Sequence, residues 1–174
     1  MAAFSRALRL LSMVVWVGGL IFFAFVLAPV AFTVLPSTHE AGTVVGATLN
    51  ILHPIGEVCA GLFLVGTIVL LQSASSRTRR LLVIEGGLTI LMIAATFYVQ
   101  ASVVPAMERD RIATGGDVDA APKDNAARLD FERLHPLSEK VEGAVLFLGL
   151  GVVVLMAFDS GSEDRKAAVS GETA

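Results

Sequence analysis

Charge is what this chain has least of. Asp, Glu, Lys and Arg make up 17% of it, where a soluble domain carries about 25%. Between Leu10 and Thr38 there is no charged residue. A single cysteine, Cys59, excludes an internal disulfide framework; its place in an apolar run is that of an inert buried thiol. The net charge of -3 argues against nucleic acid as a partner, which would require clustered Lys and Arg. No glycine-rich nucleotide loop, CxxC pair, HExxH or nucleophile elbow occurs, so those chemistries have no support in the sequence.

What is present is apolar length. The chain of 174 residues is 55% hydrophobic, with a mean hydropathy of +0.74, and that excess of apolar surface needs lipid to cover it. A spanning helix takes about 20 mostly apolar residues. Four such runs predict an all-α, polytopic membrane protein: a four-helix transmembrane bundle over residues 1–158, with helices near 7–32, 54–72, 81–104 and 136–158. Pro29 should bend or end the first helix. The last apolar stretch, 143–158, reaches only about 24 Å at 1.5 Å per residue, short of a hydrocarbon core of about 30 Å. Glu142 is therefore expected at or just inside the boundary. The polar connection 106–133 reads as an outer loop, mobile over 114–122, with Asp124 capping a short helix. Residues 159–174 read as a disordered cytoplasmic tail. The first run is too long for a signal core and lacks a small-x-small cleavage site, so it reads as a retained helix.

Orientation follows the basic residues of the short connections. Arg6 and Arg9 precede the first helix, Arg77, Arg79 and Arg80 lie between the second and third, and the first connection has none. Both termini are expected in the cytoplasm, and the membrane to be a bacterial inner membrane. The third connection is mixed in sign, with six basic and eight acidic residues over 106–140.

The most informative motif is a repeat, L-H-P-x-x-E-x-x-x-G. It occurs as Leu52, His53, Pro54, Glu57, Gly61 and again as Leu134, His135, Pro136, Glu139, Gly143. Proline suits the first position of a helix, so each histidine reads as a cap with its glutamate one turn inside, on the same face. Glu142 continues that face. Helices 2 and 4 begin on the same side under this topology. His53, Glu57, His135, Glu139 and Glu142 are thus candidates to converge near the outer boundary, with Gln100 and Ser102 arriving from helix 3 and His39 in the nearby loop. Imidazole with carboxylate suits a divalent metal such as Zn, Fe, Mn or Cu, or a proton-handling site. The plainer alternative is two helix starts whose glutamates favour the dipole by about 0.3–1 kcal/mol.

Glu85 stands apart, on the inner side of helix 3, where Arg9 at the foot of helix 1 is a candidate to neutralise it. Gly18, Gly19, Gly61, Gly66, Gly86, Gly87 and Gly143 remove side-chain bulk and should mark close helix contacts. Gly56 and Ala60 form a small-xxx-small pair. Trp16, deep within helix 1, should pack against another helix.

Residues 11–32 read L-S-M-V-V-W-V-G-G-L-I-F-F-A-F-V-L-A-P-V-A-F. Through Trp16, Gly18, Gly19, Phe22, Phe23, Pro29 and Phe32 this stretch resembles the opening helix of the transmembrane protein 205-like family. Phe131, Leu134, His135 and Ser138 before the last span resemble the same family. The resemblance implies a four-helix bacterial membrane protein with no established reaction; its eukaryotic member is linked with tolerance of metal drugs. The W-x-G-G helix also resembles the first helix of copper-resistance D-type proteins and of the membrane-bound protoporphyrinogen oxidase family. In those a histidine precedes the tryptophan by about two turns, whereas here that region holds Arg9 and Ser12.

Three readings follow for function. The first is a small integral membrane protein binding or moving a small solute, ion or metal at the His/Glu site; four short helices enclose little volume, so transport would call for a homo-oligomer. The second is a haem- or metal-dependent membrane redox protein. The third is a structural or assembly module docking other helices through its glycine faces. Beyond the lipid bilayer, no partner is specified.

Overall fold

The computed structural model describes residues 1–171, with side chains described through Phe158. Four helices are long and apolar enough to cross a membrane. They are α1 (Ala2–Val34), α2 (Thr38–Leu71), α3 (Ser76–Ala113) and α4 (Ala126–Gly171). The tail expected over 159–174 lies outside the described side chains, although the helical backbone continues to Gly171.

The helices are longer than apolar length implied, and their caps explain why. Ser37 accepts a hydrogen bond from the Glu40 N–H at 3.2 Å, and Ser37 and Glu40 have the S-x-x-E spacing of a capping box. That start lies well upstream of Pro54, so Pro54 falls inside α2, and Pro136 likewise falls inside α4. Neither histidine is a cap, which corrects the reading of both motifs. Each proline costs its helix one backbone bond, a loss that membrane helices tolerate. Asn125, not Asp124, caps α4: its Oδ1 accepts from the N–H groups of Ala127 at 2.9 Å and Arg128 at 3.2 Å.

The expected loop 106–133 is therefore helical at both ends and shrinks to residues 114–125. Gly115 and Gly116 take positive φ (78° and 98°) and end α3, a conformation glycine adopts without a Cβ penalty. The connection is held down by polar contacts. Thr38 donates to Asp119, Arg111 to Thr43, and Arg128 to the carbonyls of Asp119 and Ala121.

Two π-helical turns interrupt the rods, Phe23–Leu27 in α1 and Val99–Val103 in α3. Each lies just ahead of a proline, Pro29 or Pro105. Pro29 thus neither ends nor breaks α1, which runs on to Val34.

Each helix packs along two neighbours: α1 on α2 and α4, and α3 on α2 and α4. The interior between them holds Met13, Trp16, Val17, Cys59, Phe63, Met92, Val145 and Val152. Phe25, Val65, Ile68, Ile90, Phe97 and Phe147 face outward, where an apolar medium must cover them. At the end bearing the N-terminus and the turn after α2, Arg9 of α1 donates to Glu85 of α3, both almost wholly buried. The Arg9 guanidinium also lies over the Phe63 ring, 4.7 Å from its centroid. Ser12, Thr67 and Thr89 each donate to the carbonyl one turn back, while the buried Thr96 hydroxyl has no partner.

Close contact is confined to particular glycines. A Cβ at Gly56 would lie 2.3 Å from Trp16 Nε1, at Gly19 2.8 Å from Leu52, at Gly66 2.8 Å from Arg9 Cγ, and at Gly149 2.7 Å from Val17. Gly18, Gly61, Gly87 and Gly143 have nothing within 4 Å, contrary to the close packing expected of them; they lie on open helix faces. Gly56→Ala should accordingly destabilise the bundle by about 1–3 kcal/mol, the usual range for overpacking. Gly87→Ala should be neutral or slightly stabilising through helix propensity. Unfolding of the purified variants in detergent measures both, and equal losses would contradict this assignment.

Candidate functional site

Polar side chains also gather at the opposite end of the bundle, around the buried His53. Pro54 and the turn around it leave His53 on the inner face of α2, its side chain 2% exposed. The π-helical turn of α3 carries Gln100 toward it; such turns shift side-chain register and recur at functional sites. His53 Nδ1 is 2.8 Å from Gln100 Oε1, and His53 Nε2 is 2.6 Å from Glu142 Oε1 of α4. Gln100 Nε2 in turn donates to Asn50 Oδ1 at 3.1 Å.

This chain of contacts orders the protons. Because the Gln100 amide gives its N–H to Asn50, its oxygen faces the imidazole and accepts from Nδ1–H. Nε2 is then left to Glu142. Either a protonated Glu142 donates to Nε2, or a protonated His53 donates to the carboxylate; one proton lies between the two atoms in both cases. Glu142 Oε2 is buried and has no hydrogen-bond partner, so this carboxylate retains accepting capacity inside the bundle. Glu57, half-buried one turn along α2, acts on His53 electrostatically.

The five residues singled out by the motif do not all meet. His53, Glu57 and Glu142 belong to the interior group. His135 and Glu139 pair with each other on the surface of α4, at 3.4 Å, with side chains 43% and 67% exposed, and Phe131 stacks on His135 with ring centroids 5.8 Å apart. The motif is a repeat in sequence, but the histidine of its first copy is buried in the bundle and that of its second is exposed. Among the described residues no three His, Cys, Asp or Glu side chains group so as to hold a metal ion. Ser102 is exposed, and His39 is half-buried without a side-chain contact to this group. Asn50 was not anticipated. The signal for it was present: an amide three residues before His53 in an apolar helix, hence on the same face.

A family model matches residues 11–111, more than half of the chain. The protein belongs to the family described as Domain of unknown function (DUF4149). The matched region contains His53, Glu57, Glu85 and Gln100, whereas Arg9 and Glu142 lie outside it. No curated protein and no solved structure shows a significant match to the chain.

If His53 and Glu142 act as one unit, removing them must be non-additive. The cycle His53→Ala, Glu142→Ala and the double variant should show a coupling of about 0.5–3 kcal/mol in detergent unfolding. His53→Ala with Glu139→Ala, which share no partner, should add within about 0.5 kcal/mol. Additivity in the first cycle would dissolve the site.

Proposed function

We propose that this integral membrane protein binds a small cation, in the first instance a proton, at the His53–Glu142 pair. One observation carries the reading: a buried imidazole whose Nε2 faces a carboxylate, with that carboxylate's second oxygen buried and unpartnered. Ionisable groups in a membrane interior are costly and mark ion or proton sites. The donor set favours the proton over a divalent metal, since His53 and Glu142 supply two ligands where a closed zinc site takes four.

The resemblance to the transmembrane protein 205-like family agrees with the four-helix layout. By the basic residues of the short connections, both termini lie in the cytoplasm of a bacterial cell and the His53 end faces outward. Binding needs only the groups described. Movement across the bilayer would also need the apolar layer of Trp16, Cys59 and Phe63 to part, or a homo-oligomer whose interface supplies the path.

Infrared difference spectra of the protein in lipid nanodiscs test this, stepped first in pH and then in sodium or zinc at fixed pH. The wild type should show a carboxyl band that is lost in Glu142→Gln, shifted in His53→Gln and retained in Ser102→Ala. A wild type without such a band, or a band unchanged in both site variants, would remove the site.

A further inference from the structure

Resting on that reading, we infer that Glu132, His135 and Glu139 form a proton-collecting surface on α4 that delivers protons to Glu142 and His53 from the connection end of the bundle. Positions 132, 135, 139 and 142 are spaced three or four apart and so share one helix face. The series spans ten residues, about 15 Å of rise. Three separate pairs lie along it, with Glu139 and Glu142 three residues apart on the helix. Arg128 pairs with Glu132 at 2.8 Å, His135 with Glu139 at 3.4 Å, and Glu142 with His53 at 2.6 Å.

Glu132, His135 and Glu139 are open to water, at 51%, 43% and 67% exposed, and exposure then drops to 14% at Glu142 and 2% at His53. A path from water to a buried base requires such a gradient. In the other direction the interior is mainly apolar, with Trp16, Cys59, Phe63 and Met13 beside the buried, unpartnered hydroxyl of Thr96. The next buried polar pair, Arg9 and Glu85, lies at the level of Gly66, thirteen residues or about 20 Å along α2.

The step balances without a co-reactant. A hydronium ion protonates His135 Nε2 or the Glu139 carboxylate and leaves water; the proton passes to Glu142, and from Glu142 Oε1 to His53 Nε2. Release is the reverse. The groups facing His53 are Glu57 on its own helix, Glu142 of α4 and the uncharged Gln100 of α3, while α1 presents Trp16 and Gly19 at this level. Asp110 of α3 acts on Asp130, which is off the shared face. Surface carboxylates focus cations and raise their capture rate by about 10–10³-fold, an effect weakened by salt.

Trp16, the only tryptophan, packs on Gly56 beside His53 and serves as the reporter. The measurement is stopped-flow pH-jump fluorescence on the full chain in detergent, with His53→Gln as the blank. His135→Asn/Glu139→Gln should slow the His53-dependent phase by at least about tenfold and leave the equilibrium pH midpoint in place. Added salt should slow the wild type and have little effect on that variant. Glu142→Gln should instead move the midpoint, which separates the binding pair from the collecting groups. A wild-type phase present but equally fast in the double variant would overturn this inference and leave the binding site standing. The absence of any His53-dependent phase in the wild type would overturn both.

Discussion

A charge inside a bilayer needs a partner, and the arrangement of this bundle follows from that constraint. Neighbouring helices are held by apolar side chains and by the approach of Trp16, Leu52, Arg9 and Val17 to glycines. The diagonals are joined differently. Arg9 of α1 reaches Glu85 of α3, and His53 of α2 reaches Glu142 of α4. The two links cross different diagonals at opposite ends of the bundle, with the apolar interior between them. Removing one member of a buried pair leaves an uncompensated charge, at about 3–5 kcal/mol, so each pair fixes which helices stand opposite.

The two links are alike in position and unlike in chemistry. An arginine does not give up its proton in a protein, so Arg9 keeps its charge beside Glu85 and the pair acts as a strut. Histidine is the side chain whose charge changes near neutral pH. The link of His53 to Glu142 can therefore hold its proton on either partner, and Gln100 and Asn50 fix which ring nitrogen takes part.

The four spans were legible because apolar length in lipid leaves little alternative. Arg9 and Glu85 were legible too, since each is a lone charge near the same end of an apolar helix. The starts of α2 and α4 were misread because proline after histidine resembles a first turn, while the true caps, Ser37 and Asn125, lie in polar stretches that apolar periodicity does not register. The motif drew attention to His53, which the structure brings against Glu142, and also to His135 and Glu139, which pair with each other on the surface of α4. Deciding which copy is buried requires the packing of the helices, marked on α2 by Gly56 against Trp16 and on α4 by Gly149 against Val17. Neither contact is encoded by spacing alone. The open faces at Gly18 and Gly87 make the same point, since small residues permit contact without requiring it.

The most direct test of the paired-charge constraint is the unfolding free energy of Arg9→Met, Glu85→Leu and the double variant in detergent. Each single change should cost about 3–5 kcal/mol, and the double variant should recover most of the loss, because no uncompensated charge is left inside. A double variant as unstable as the sum of the singles would contradict the account, since the two residues would then contribute separately and neither would depend on its partner.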